Sequence, residues 1–512
     1  MRQPWFAAML ACCMLLAACG GEGTSTGDRT VGTSGGPTDA VTADGPPVDN
    51  LALSSDVLRL ALERPESYRP TEVALTDQSA VIIADLLYDG LTEAVGNRGE
   101  LRPGLAEAWW HNEDYTVWTF LLDPGADITT ASVVSSLLPF ASESATIEKS
   151  RPGVAARLAA GIRAVSRVDD RTVTIELDGP NAGLPWVLSG LPFSVVGPNG
   201  APTGTYRISS DDAAGLRLTA RQTERPSGAT PVRPVRIEWQ DDREAGYQKL
   251  VDGKLDGALV PADRRDDAAA MFPVGPSASV STRFYVLHLG SARLADPMIR
   301  GLIHSALDGG AGAVEDAGQE TVVADGLVPN TMAGYRPDPC SSCGGLLSAS
   351  STDSPSPPAE QLEVAYSGPD QRAMTMAIVE RLQAAGIPAI ERRMDPEDLA
   401  SVIVSGGTDI FSFGWVAAAT SSDAILPVLL SAESPANVAR IGSAEIDRIL
   451  AAAAVTADDN DRWDLHHQAH QAALSSGRLL PVAAVRTSLA LSSAAGPVVV
   501  RADGSIDLEV DG

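Results

Sequence analysis

The chain has 512 residues, with 66 acidic against 38 basic side chains and a formal charge of −28. Its only lysines are Lys149, Lys249 and Lys254, so no basic patch exists to meet phosphates, and nucleic-acid binding is excluded as a function class. From Leu51 onward the chain runs for about 460 residues, enough for two or three domains with full cores.

The chain begins MRQPWFAAMLACCMLLAACGG. The apolar run from Trp5 to Ala18 is shorter than the ~20 residues a spanning helix needs. It has the proportions of a signal-peptide core. Leu16-Ala17-Ala18-Cys19 resembles a bacterial lipobox, which predicts removal of residues 1–18 and diacylglycerol on Cys19. Each buried acyl methylene contributes ~0.8 kcal/mol, and two chains give stable anchoring to a membrane. The expected location is therefore the extracytoplasmic face of the cell membrane, lipid-anchored. Residues 19–50 are rich in Gly, Thr and Asp and lack aromatics. Such a composition reads as a flexible tether, and an acidic body on a tether is held off anionic headgroups.

The folded part opens with a helix ending at Leu87 and Tyr88, a turn at Asp89-Gly90, a short strand-like run and a tight turn at 96–99. Pro103-Gly104 are expected to lead into a second helix ending at Trp109-Trp110. Residues 113–122 (EDYTVWTFLL) and 169–177 (DDRTVTIEL) alternate as antiparallel strands of a small inserted sheet. In 235–261, Val235–Trp239 alternate as a strand, Asp241-Asp242 can cap a helix, Gly253 ends it and Leu255–Val260 give the next strand. In 362–393, Leu362, Val364 and Tyr366 alternate. Met374, Ile378 and Leu382 then recur every fourth residue, and Gly386 follows as a stop. That spacing is a helix core stripe, not a ligand site. Strands alternating with amphipathic helices predict an α/β fold with mostly parallel sheets.

Cys340 and Cys343 form the even pair left after the signal and Cys19. In an oxidising compartment PCSSCGG is expected to close a small disulfide. A thioredoxin-type pair would start a helix after a strand, whereas prolines and glycines flank this one. Ser348–Pro358 extends it as a low-complexity surface loop. His466 and His470 stand four apart in DLHHQAHQ, a spacing that can hold zinc or nickel. The glutamate of an H-E-x-x-H motif is missing, so the expectation is a solvated polar helix face, no metal site and no cofactor. Beyond the tether there is no G-x-S-x-G elbow and no P-loop, and the chain is not expected to be an enzyme.

Six stretches, in order over about 350 residues, carry a family resemblance. They are LLYDGLTEAV…GELRPGLAEAWW…YTVWTFLLDPGADITTASVVSSL (86–137), PTGTYRI (202–208), DGKLDGALV (252–260), LADPMIRGLIHSAL (294–307), GLVPNTMAGY (326–335) and DIFSFGWVAAATSSDAILPVLL (409–430). Together they resemble the extracytoplasmic solute-binding proteins of the peptide/nickel/opine family, the lipoprotein receptors of ABC importers.

The resemblance implies a two-lobed, periplasmic-binding-protein-like α/β fold of the larger class, with an extra insertion subdomain. The first lobe would take 51–279, with the insertion at about 91–200. The second lobe would take 280–481, and 482–512 would return to the first. A monomer would capture a peptide or peptide-like solute between the lobes, which close by a hinge, and deliver it to a permease and ATPase. Trp415 would wall the cleft, and Val416, Ala417, Ala418 and Ala419 would offer a strand edge to the ligand backbone. Trp415→Ala would then weaken binding and leave folding nearly intact.

Two departures stand out. Peptide-binding relatives hold the ligand amine with an aspartate three residues after this tryptophan, where this chain has Ala418. Asp423 is the nearest acid that could substitute. The family's FHDGxP segment is also absent, since LLDPGADITTASVV passes from Gly125 straight to a helix. Two other readings therefore stay open: an envelope lipoprotein with this fold but an interaction or signalling role, and a metal or metallophore carrier.

Overall fold

The computed structural model describes residues 57–95, 100–142, 151–221, 230–231, 233–275, 280–288, 290–307, 321–324, 326–337, 360–368, 371–485, 489–496 and 498–510. The signal segment, Cys19, the tether, the turn at 96–99, Cys340, Cys343 and the 348–358 loop lie outside the described residues.

Two six-stranded sheets form two lobes, and a four-stranded sheet forms an insertion. In the first sheet Leu58–Glu63 lies between Val235–Gln240 and Gly257–Leu259, parallel to both. The hairpin of Tyr206–Asp211 and Gly215–Ala220 extends one side, and Leu489–Leu491 closes the other. In the second sheet Ile410–Val416 lies between Ser281–Leu287, antiparallel, and Leu362–Tyr366, parallel. Leu479–Val485 pairs with Ser281–Leu287, so the chain stays in this sheet to Val485 and not merely to 481. Neither sheet is mostly parallel, contrary to expectation. The first has a parallel centre and the second a parallel half that runs out to one edge, and hairpins and returning strands add antiparallel neighbours that need no crossover helix.

The two units read from periodicity form as strand, helix and strand. Asp242 caps the helix Arg243–Val251 by accepting from the Ala245 amide, and the boundary carboxylate also suits the positive helix end. Met374, Ile378 and Leu382 on the helix Arg372–Ala384 are buried against the second sheet. One expectation fails. Ala106–His111 is an edge strand of the insertion sheet, not a helix, and pairs with Val117–Leu122. The aromatic pair Trp109-Trp110 suits a pleated edge better than a helix; Trp109 reaches Phe120 across the pair while Trp110 stands half exposed.

The chain leaves the first sheet after Gly275 and returns to it at Leu489, and the described flanks of these two passages are paired. On the first-lobe side the Gly275 amide donates to Leu489 O (2.8 Å) and the Leu491 amide to Pro273 O (3.0 Å). On the second-lobe side Thr282 pairs with Ala484.

Candidate functional site

The 410–416 strand ends where the second lobe packs on the insertion. Its residues alternate. Ile410 joins the cluster under Arg372–Ala384, while Phe411, Phe413 and Trp415 enter the large core shared with the insertion. Beyond Val416 the Ala417 amide still donates to Val280 O (2.9 Å), and Ala333 brackets the next turn, donating to Thr420 O and accepting from the Ser422 amide (both 2.9 Å). The strand therefore delivers Trp415 and the apolar run Val416–Ala419 to the seam in fixed positions.

Trp415 is 1 % exposed, and its indole Nε1–H has no hydrogen-bond partner among the described residues. A buried donor without an acceptor costs about 1–3 kcal/mol, so this atom calls for an acceptor that no described residue supplies. Val416, Ala417, Ala418 and Ala419 are also buried. In this conformation they do not present an open strand edge, because residues 183–190 cover them. A Cβ on Gly190 would overlap the carbonyl oxygen of Ala418 and come within 2.9 Å of the Ala419 Cβ. A full tryptophan in the core also corrects the expectation for Trp415→Ala, since emptying such a site costs ~3–5 kcal/mol.

Asp423 does not stand ready for a ligand amine. Arg462 Nε donates to its Oδ1 (2.8 Å), Trp463 Nε1 to its Oδ2 (3.0 Å) and Ser421 Oγ to its Oδ2 (2.6 Å). Arg462 also donates to Asp459 Oδ1 (2.6 Å) and to the carbonyls of Thr456 and Ala457. Burial would push the Asp423 carboxyl up, but the Arg462 guanidinium, His466 and these hydrogen bonds outweigh it and hold the group well below the usual carboxylate range. The aspartate ties the loop after the strand to the helix Asp459–Ser475, a role its sequence position does not reveal.

The histidines of that helix are not on a solvated face either. His466 Nδ1 lies 3.1 Å from Ser422 Oγ, and His470 Nε2 accepts from the Leu327 amide (3.0 Å). Both are buried, and burial pushes the His470 imidazole down to about 3. Each ring is committed to the protein, and among the described residues no group of three or more His, Cys, Asp or Glu could hold a metal.

The short Asp123–Thr129 turn borders a separate cavity of ≈ 80 Å³ inside the first lobe, lined among others by Tyr88, Glu93, Asp127, Arg221 and Arg501. None of residues 415–419 lines it. Its floor is tied by Arg501, which pairs with Glu93 (2.7 Å), Asp507 (3.2 Å) and Asp85 (3.7 Å).

The family model "Bacterial extracellular solute-binding proteins, family 5 Middle" matches residues 100–437. No curated protein matches the sequence. Among solved structures, HbpA2 from Haemophilus parasuis superposes with TM-score 0.74 at 19% identity, covering 89% of this chain and all (100%) of that one. The unliganded open form of the periplasmic murein tripeptide-binding protein MppA gives 0.70 at 18% identity, covering 86% and 93%. DppA from Helicobacter pylori, in complex with the peptide STSA, gives 0.62 at 18% identity, covering 87% and 94%. The fold is thus the two-lobed α/β fold of periplasmic binding proteins.

Proposed function

Because the chain belongs to the family 5 bacterial extracellular solute-binding proteins, we propose that it captures a peptide or peptide-like solute between its lobes for an ABC permease and ATPase. The observation that carries this reading is Trp415: a buried ring where the second lobe meets the insertion, with a donor unpaired among the described residues and an uncharged wall of Val416–Ala419 beside it. A peptide carbonyl is the acceptor such a donor lacks, and an apolar wall accommodates varied side chains. This is a carrier's chemistry, which binds and releases without making or breaking covalent bonds. The peptide complex of the DppA neighbour is consistent with it.

Cys19 would carry the lipid anchor, and the body would work as a monomer on the extracytoplasmic face. The Cys340–Cys343 pair would staple a surface loop. Membrane fractionation of a Cys19→Ala variant tests the anchor; retention in the membrane fraction would refute it.

The deciding experiment is native mass spectrometry of the mature chain purified without added ligand. An extra mass that leaves on mild denaturation and fragments as a peptide is the expected result. A second reading, an envelope lipoprotein that keeps the fold without transport, draws on the covering of Ala418 by Gly190. A clean apo mass with no thermal shift in a peptide pool would favour it.

A further inference from the structure

The helix Pro297–Ala306 packs on the second sheet, and two of its basic side chains stand one turn apart on its buried side. Arg300 is 7 % exposed and His304 5 %. His304 Nε2 lies 3.1 Å from Gly477 O. A carbonyl only accepts, so this nitrogen carries the proton and ties the helix to the Gly477-Arg478 turn. The turn leads into the sheet, where the Leu287 amide donates to Arg478 O (2.8 Å). This is the far end of the sheet from Trp415, which pairs with Thr282. The strand from Thr282 to Leu287 separates the two ends by about 17 Å.

Two guanidinium groups stand here without a paired acid. Arg300 Nη1 donates to Leu294 O (2.8 Å) and Ala295 O (3.0 Å), but its buried Nε–H has no partner among the described residues. The buried Nη1 of Arg478 has none either. Burial pushes Arg478 down, and the neighbouring Arg300 charge pushes the same way. Burial pushes Arg300 down too, opposed by Asp296, whose side chain is spent capping the helix at the Met298 amide. The arginines buried elsewhere against carboxylates are different: Arg462 meets Asp423 at 2.8 Å and Arg501 meets Glu93 at 2.7 Å. The helix Asp459–Ser475 ends beside this turn, and its negative end favours a nearby cation by about 0.3–1 kcal/mol. That is too little to offset a desolvated guanidinium, which costs several kcal/mol.

We propose that Arg300 and Arg478 bind a small oxyanion of the phosphate class between the helix Pro297–Ala306 and the Gly477-Arg478 turn. With Nη1 spent on two carbonyls, the edge left to Arg300 is Nε with Nη2, the fork that matches two phosphate oxygens. Arg478 adds donors from the turn, and it is only partly buried, so the anion enters from solvent. His304 is a positioning residue, because its bond to Gly477 O sets the turn against the helix. Once bound, the anion fastens helix to turn. The overall charge of −28 repels an anionic membrane and favours a free anion over a lipid headgroup. The site stands apart from Trp415 and does not depend on the receptor reading.

Hydrogen exchange of the mature wild-type chain, read by mass spectrometry, tests this with inorganic phosphate against chloride at matched ionic strength. For a Kd of about 5 mM, phosphate at about 10 mM should slow exchange in 298–306 and 476–480 roughly threefold. Leu58–Glu63 in the first sheet should not respond. Arg300→Met and Arg478→Met should each lose the slowing, and Arg478→Lys, which keeps the charge without the fork, should retain only part of it. Arg478 is partly exposed, so its variants decide the matter if Arg300→Met fails to fold. Phosphate that slows nothing in wild type would overturn the proposal. So would equal slowing in Arg478→Met, or equal slowing of both sheets, which is the general effect of an excluded salt. Slowing by phosphatidylglycerol vesicles but not by inorganic phosphate would overturn the assignment to a free anion.

Discussion

Arg462 and Asp423 form an ion pair whose two side chains are 1 % and 3 % exposed, with Nε to Oδ1 at 2.8 Å. A pair this buried is held in place less by its own attraction than by the cost of leaving either charge alone. Asp423→Ala and Arg462→Met should each destabilise the fold by ~3–5 kcal/mol, read from urea unfolding midpoints. The double variant should recover part of that loss, because no buried lone charge remains; Asp459, which also loses Arg462, is solvated at 42 % side-chain exposure. If the single changes leave the midpoint where it was, the pair is not structural.

The same carboxylate sets an acid limit. Its folded value lies below its unfolded one, so its stabilisation is complete above the unfolded value of ~3.9 and is lost as pH falls from there toward the folded value. The wild type should therefore lose stability below about pH 4 faster than Asp423→Asn does. Parallel curves of stability against pH would show that the aspartate does not titrate with folding.

His470 acts over a higher window. Burial brings it down to about 3, against ~6.5 in an unfolded chain. A depressed folded value means that the unfolded chain binds the extra proton. Stability is then full above about pH 6.5 and is lost progressively as pH falls toward 3. His470→Gln, which still offers an acceptor to the Leu327 amide, should flatten the fall in Tm between pH 6.5 and 4.5. Its nickel and zinc binding should match the wild type, since both rings at 466 and 470 are spent on protein partners. An unchanged slope would contradict the assignment.

What could be read from the sequence divides along a physical line. Local signals survived: the helix stripe of Met374, Ile378 and Leu382, the Asp242 cap, and the alternation of Val235–Gln240 all depend on neighbours within a turn or two. Ala106–His111 misled because Pro103-Gly104 resemble a helix start, while the pairing that makes it a strand comes from Val117–Leu122. The site was legible only in part. The glycine-tryptophan pair marks the strand that reaches the seam, but nothing near Asp423 announces Arg462, which is 39 residues away. Gly183 and Gly190 carry no signal in the sequence, since what demands them is the loop they touch, at Asp423 and Ala418. The histidines failed as a solvated face because helix periodicity gives no sign of which side is buried when the helix carries little apolar contrast.

Arg501 should be the weak point of the C-terminal segment. It sits among Glu93, Asp507 and Asp85, whose side chains retain 25 %, 19 % and 22 % exposure. Replacing it with methionine leaves Glu93 and Asp507 facing one another beside Asp85, whose carboxyl burial already pushes up to about 8. The expected loss is about 2–3 kcal/mol, short of the ~3–5 of a fully buried pair. Limited proteolysis should then cut within 498–510 before it cuts elsewhere. A resistant C-terminus and an unmoved unfolding midpoint would show that packing of Ile506 and Leu508, both buried, suffices to hold it.

Trp415 needs a variant that separates binding from packing. Trp415→Ala would cost ~3–5 kcal/mol of stability, and any loss of solute could then be blamed on the fold. Trp415→Phe keeps most of the ring among Phe411, Phe413 and the insertion core and removes the unpaired Nε1–H. In the apo protein that change should cost under about 1.5 kcal/mol, or even stabilise, because a buried unsatisfied donor disappears. With solute bound through that donor, affinity should fall by roughly tenfold, the worth of one hydrogen bond of about 1.4 kcal/mol. The measurement is calorimetric titration with the solute identified by native mass spectrometry, beside thermal unfolding of both forms. Equal affinity would remove the indole N–H from the site, whereas lower affinity with unchanged apo stability would assign it to solute recognition.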